Sequence, residues 1–386
     1  MQPPTAVHLG ADPASASGSP CAQPAQPQCS NLRHQQLKVY PLRTGSTKVP
    51  YGQFYGGLTG WSGVSGYWRM ATDKRRSIVV PIHAYLIEHP RVGPILVDTG
   101  ISWAQAHRHE QYYAGSLHYL LDQDEYQIEP EQEIRQHLAR FGYRPADVSA
   151  VILTHLHEDH VGGLRDLPDA PVVLGRAAWD GRHDHAFGVV PIVYQPSLAG
   201  VRDWQLVDYT SGPFHTFAAS QDLFGDGTVL LLPTPGHGPG HQCVLVRLEG
   251  YDLLIAGDIL YTLRHLAVDQ LRALQFGAIL EQQQVDSIRR LVALRQALPD
   301  LVFAPGHDHT AYQFRYLVPF LTKGGLSPDE RQAIRMYEAS IFDARYDLLP
   351  AAVPRFVAAP EGGPVGRVSE PELDMQPMPV GAGAAR

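Results

Sequence analysis

Residues 154–160 read THLHEDH and follow directly on the apolar run VSAVIL at 148–153. They set His155, His157, Asp159 and His160 at the end of a predicted buried strand. Side chains two apart in an extended or turning backbone point the same way. His155 and His157 can therefore present imidazoles to one ion, while Asp159 and His160, past the bend, face a second. In a chain with 19 His a single pair two apart would carry little weight, but the whole HxHxDH string behind a strand predicts two adjacent metal ions at a sheet edge.

On either side the sequence alternates short apolar runs with helical patterns. Strands are predicted at 37–40, 78–87, 94–97, 148–153, 172–174, 229–232, 243–247, 252–256 and 301–304. Helices are predicted at 129–141, with Ile134, Leu138 and Phe141 on one face, and at 282–298, with Val285, Ile288, Leu291 and Leu294. The class is α/β. Two pairs of segments echo each other: PILVDTG at 94–100 and DLLIAGD at 252–258 each run a strand into an Asp beside Gly, and VILTH at 151–155 and VFAPGH at 302–307 each run a strand into a His.

Three further segments carry the same chemistry at strand ends beside Gly or Pro, where loops present reactive groups. They are PTPGHGPGH at 233–241 with His237, LIAGDIL at 254–260 with Asp258, and FAPGHDH at 303–309 with His307. Taken in order behind THLHEDH, these segments resemble the metallo-β-lactamase superfamily over roughly residues 75–310. The resemblance implies an αββα sandwich, two mixed β-sheets flanked by helices, with the echoing strands delivering their ends to one shared edge. It also implies that His155, His157 and His237 hold a first metal, Asp159, His160 and His307 a second, and that Asp258 bridges them. A shared carboxylate and a shared hydroxide offset the repulsion between two cations ~3.5–4 Å apart. Imidazole and carboxylate donors suit Zn²⁺, and Fe, Mn or Co fit the same set. Asp98 in LVDTG is expected to position a ligand, and His241 to support the site. His309 is read as another supporting group or as facing solvent, and His183 and His185 as a polar loop.

Two metals with a bridging hydroxide predict hydrolysis. His157 stands where flavodiiron oxidoreductases carry Glu, and Asp258 where true β-lactamases carry Cys or Ser; the resemblance therefore points away from both. Three hydrolase families remain: N-acyl-homoserine lactonases of the quorum-quenching kind, methyl-parathion-hydrolase-like phosphotriesterases, and glyoxalase II-like thioesterases. Tyr261 in GDILY, three residues after Asp258, matches a catalytic Tyr of the lactonases, and so does the GY-x-P-x-D arrangement from Gly142 to Asp147. The resemblance then implies attack by the bridging hydroxide on a lactone carbonyl, with Tyr261 donating to its oxygen and Asp159 protonating the leaving alkoxide. The bland reading of Tyr261 is a buried aromatic at a strand end.

Composition narrows the partners. A net charge of −8 offers no basic face to nucleic acid, and no run reaches the ~18 apolar residues of a membrane span. A small ester or lactone is the expected substrate, and the cytoplasm the expected compartment. Of the three Cys, Cys21 and Cys29 lie in a polar stretch and Cys243 in an apolar strand; they make neither a disulfide framework nor a thiolate cage. One hydrolase domain is expected over 34–350. The Pro-, Ala- and Ser-rich residues 1–33 are expected to form a disordered leader, which a mis-assigned start codon would explain equally well, and 351–386 a disordered tail. The aromatic, Gly-rich stretch at 51–68 departs from a compact lactonase. It would form either the wall of an acyl-chain pocket or apolar filling, in the core or in a homodimer interface.

Overall fold

The computed structural model describes residues 37–57, 77–113, 125–186, 190–269, 271–275 and 277–343. The predicted leader and tail lie outside the described residues, as do positions 58–68 of the aromatic stretch.

In chain order the elements include β1 (Lys38–Pro50), α1 (Tyr51–Tyr55), β2 (Ser77–His89), β3 (Gly93–Val97), α2 (Ile134–Arg140), β4 (Ala150–Ile152), α3 (Glu158–Val161) and β5 (Val172–Gly175). There follow β6 (His185–Ala186), β7 (Val190–Pro191), β8 (Trp204–Val207), β9 (Gln221–Asp222), β10 (Val229–Pro233), β11 (Gln242–Leu248), β12 (Tyr251–Gly257), α4 (Ala278–Ala297), β13 (Leu301–Pro305) and α5 (Pro328–Asp343). One sheet runs β1-β2-β3-β4-β5-β8, a second β13-β12-β11-β10-β9, and β6 and β7 form a separate small hairpin. Both large sheets are mixed: β3, β4, β5 and β8 pair parallel, as do β12 and β13, and the remaining pairs are antiparallel.

Period-two burial shows how the layers form. Along β2 and β3, Tyr85, Ile87, Ile95 and Val97 pack with the second sheet, while Ala84, Leu86 and Leu96 turn the other way onto Ile134 and Leu138 of α2. On the far side, Val285, Ile288, Leu291 and Leu294 of α4 lie against the second sheet. Helix, sheet, sheet, helix is thus the observed layering, with each buried Leu or Ile contributing about 1.5–3 kcal/mol of apolar transfer. The echoing segments occupy equivalent places. β3 and β4 form the parallel pair that ends in Asp98 and His155, and β12 and β13 the parallel pair that ends in Asp258 and His307.

Three boundaries differ from the sequence reading by four residues or more. β1 continues to Pro50 through the polar stretch RTGSTK, with a register shift between Arg43 and Gly45. Gly45 has φ +132°, and a Cβ there would lie 2.8 Å from the Gln127 carbonyl; the chain bulges where only Gly fits. Ordered helix in the predicted 129–141 segment begins at Ile134, after a 3₁₀ turn at Pro130–Gln132. α4 starts at Ala278, four residues before the apolar spacing shows it, because Ile279 is exposed and breaks the pattern. No described helix is long and apolar enough to cross a membrane.

Candidate metal centre

The loops after β4, β10, β12 and β13 converge at one edge of the sandwich. They bring all seven sequence-predicted metal residues into two adjoining groups, His155, His157, His237 and Asp258 in one and Asp159, His160 and His307 in the other, with donor atoms within 4.8 Å of one another in each. Asp258 faces both. Its Oδ2 lies 3.3 Å from His237 Nε2 and 3.7 Å from His155 Nε2, and its Oδ1 lies 3.2 Å from both His160 Nε2 and His307 Nε2. Asp159 Oδ2 approaches His307 Nε2 at 3.2 Å, and His157 Nδ1 lies 2.8 Å from His237 Nε2.

These spacings fit divalent cations. Donors held about 2.1 Å from one ion at tetrahedral angles stand ~3.4 Å from each other. Three buried donors, His155 Nε2, His160 Nε2 and Asp258 Oδ1, make no hydrogen bond among the described residues, which is a costly state unless an ion satisfies them. Among the described residues no thiol takes part, since buried Cys243 sits between Thr234 Oγ1 and the Ala256 carbonyl. The backbone makes room as well: a Cβ on Gly306 would come within 2.3 Å of Asp258 Oδ1, so the β13 loop reaches the carboxylate only as Gly.

Charge within the nest is uneven. Burial pushes His155 and His237 well below the ordinary imidazole range. Burial acts the same way on His160 and His307, but the nearby carboxylates, Asp258 foremost, outweigh it; His160 rises well above its usual value and His307 is lifted to about 10. Burial would raise Asp159, yet His160 and His307 hold it down at about 2. The negative charge that retains protons on these imidazoles is the charge a divalent cation neutralises, so metal uptake displaces those protons.

The supporting groups fix ring orientation. Asp98 has a left-handed φ of 57°, and its carboxylate accepts from the Thr154 amide, the Thr154 hydroxyl and His160 Nδ1–H, each at 2.8 Å. The Thr154 hydroxyl in turn lies 3.0 Å from His155 Nδ1. One carboxylate thereby orients an imidazole in each group, through a Thr that the sequence reading passed over; a hydroxyl residue immediately before the first His was the available signal. His307 Nδ1 lies 2.9 Å from the Pro81 carbonyl, a backbone contact with no sequence signature. His241 contacts the Thr234 hydroxyl and accepts the Asp258 amide, as expected of a supporting group. His309 is buried beside Tyr55 rather than facing solvent, and His183 and His185 are exposed and away from the nest. Asp98→Asn is expected to weaken metal affinity 10–100-fold, measured by competition with a chromophoric chelator; parent affinity would show that Asp98 orients nothing.

Residues 78–307 match the metallo-beta-lactamase superfamily model, well over half of the chain. The chain belongs to the metallo-β-lactamase superfamily. Among superfamily proteins it is 30% identical over 234 residues to an N-acyl homoserine lactonase from Bacillus cereus, a span covering 59% of this chain and 82% of that protein. It is 29% identical over 238 residues to the N-acyl homoserine lactonase AttM of Rhizobium radiobacter, covering 60% and 84%. A solved N-acyl homoserine lactone hydrolase, with the product N-hexanoyl-L-homoserine at its catalytic metal centre, superposes with a TM-score of 0.54 at 23% identity. That likeness covers 70% of this chain and 93% of the other, and it is one of fold.

Tyr261 closes the first group. It is buried, and its hydroxyl lies 3.3 Å from His237 Nδ1 while His237 Nε2 points at the donors. A His ligating through Nε2 carries its proton on Nδ1, so the phenol oxygen accepts from His237.

Proposed function

We propose that this protein opens the lactone ring of N-acyl-homoserine lactones, and that His155, His157 and His237 would hold one divalent cation and Asp159, His160 and His307 another, with Asp258 shared between the two groups. The observation that carries the reading is the Tyr261 hydroxyl placed against His237 beside a nest of seven donor residues, in a chain whose curated relatives include lactonases. Bound in this nest, the cations supply a hydroxide nucleophile near neutral pH and polarise the carbonyl; the imidazole and carboxylate donors favour Zn²⁺.

The residues do the rest. Tyr261 donates its O–H to the carbonyl oxygen as that oxygen gains negative charge, with the His237 Nδ1–H fixing the phenol. Asp159 is held ionised and has one oxygen beside His307. It accepts the proton of the attacking water and passes it to the ring oxygen as the ester C–O bond breaks. Water adds across one bond, and the product is the open hydroxy acid. Metal analysis together with a lactone panel tests this, run beside paraoxon-type and S-lactoylglutathione substrates. A product mass gain of one water on the lactones is expected; turnover confined to phosphotriester or thioester would replace the lactone assignment, and tight lactone binding without turnover by any ester would replace catalysis with binding.

Stability carries a separate pH signature. Burial pushes His83 down to about 3 and His265 to about 4, from an ordinary 6.5. Below pH 6.5 the unfolded chain therefore takes up protons that the folded chain refuses, and stability falls as pH drops toward 4. The Tm is expected to decline across that window, less steeply in His265→Gln; a level Tm would show these imidazoles to be charged or exposed.

A further inference from the structure

We propose that Phe54 is a positioning residue for Tyr261, and that α1 is fastened where it is in order to hold the catalytic phenol. The proposal rests on the role given to Tyr261 above. The Phe54 ring is 1% exposed and stacks on Tyr261 with centroids 4.3 Å apart and planes 16° off parallel. It comes no nearer than 6.4 Å, centroid to centroid, to His307, so its closest tie to the nest is through Tyr261. Offset stacking of this kind adds about 0.5–1.5 kcal/mol beyond area burial, and it blocks rotation of the partner ring.

The five-residue α1 has no side-chain cap, and three hydrogen bonds, two of them backbone to backbone, tie it to the segment following Tyr261. Leu274 N–H donates to the Gln53 carbonyl at 2.8 Å, and Gly57 N–H donates to the Arg272 carbonyl at 3.1 Å. The third tie comes from a side chain. His265 Nδ1 accepts the Thr262 amide at 3.1 Å, so its proton sits on Nε2, which donates to the Phe54 carbonyl at 2.7 Å. Tyr55 covers the same imidazole, stacked at 5.4 Å and 19°. A Cβ on Gly57 would fall 2.1 Å from the Ala273 carbonyl, so the chain comes as close as backbone allows. A helix of one turn has little reason to be fastened this way except to fix what it carries, and what it carries onto Tyr261 is Phe54.

The test is a double-mutant cycle on metal-loaded protein, using whichever ester of the panel is hydrolysed fastest, with a crystal structure of each variant. Phe54→Leu is expected to keep metal content and KM and to lower kcat about tenfold or more, yet to cost nothing further in a Tyr261→Phe background. Its structure is expected to show the Tyr261 hydroxyl displaced from His237 Nδ1. His265→Gln, which releases the hook and leaves the ring, is expected to do the same more weakly, and it serves alone if Phe54→Leu does not fold. An equal loss of kcat with and without the phenol, or an undisplaced Tyr261 in the variant structures, overturns the proposal. Failure of the lactone assignment would appear instead as a different best ester, with the coupling intact.

Discussion

Asp258→Ala is expected to empty both halves of the centre at once and to drop turnover below about a thousandth of the parent rate. The reason is geometric. Its two carboxylate oxygens face different groups, 3.3 Å from His237 on one side and 3.2 Å from His160 and His307 on the other. Removing any single imidazole leaves the other group its full set of donors, whereas removing Asp258 takes a donor from each. The four imidazoles around Asp258 also lose the anion that offsets their crowding. Elemental analysis after dialysis, set beside lactone turnover, measures both consequences. Full activity in an Asp258→Ala protein stripped of metal would end the dinuclear scheme.

Tyr261→Phe separates chemistry from metal holding. Loss of one preorganised donor to a developing oxyanion costs 10²–10³-fold in kcat, about 2.7–4 kcal/mol. The ring, its stacking on Phe54 and its burial all survive the change. Metal content is therefore expected to stay near the parent value, with at most a slight fall at the first group as His237 Nδ1 loses its acceptor. An unchanged kcat would make the phenol a packing residue; a collapse of metal content would make it chiefly an orienter of His237.

Much of this centre was legible in the sequence, because metal chemistry compresses information. HxHxDH behind an apolar strand places four donors in one turn, and the strand-end signals around His237, Asp258 and His307 repeat the same logic. The parallel pairs β3–β4 and β12–β13 were foreshadowed by the echo of Asp–Gly and His endings. What escaped was whatever depends on long-range contact without a residue pattern. Thr154 is ordinary until Asp98 is seen beneath it, and the Pro81 carbonyl has no side chain to betray it. The polar second half of β1 reads as a loop because its β character comes from pairing with β2. The aromatic stretch offered a pocket wall, a core or a dimer interface, and Phe54 lies in a buried cluster with Tyr261.

The convergence of loops from both sheets would make any bound ions cross-links. His155 and His157 hang from the first sheet and His237 and Asp258 from the second, and the other group is split in the same way between Asp159 and His160 on one side and His307 on the other. A cation held by each group would be a rivet through the sandwich, its binding free energy docking one sheet to the other by about 2.7 kcal/mol per rivet at a hundredfold excess over Kd. A chelator is then expected to act as a selective denaturant, raising amide exchange at the strand ends facing the inter-sheet seam while the outer faces packed on α2 and α4 stay protected. Metal supply would set how long the folded protein lasts as well as how fast it works.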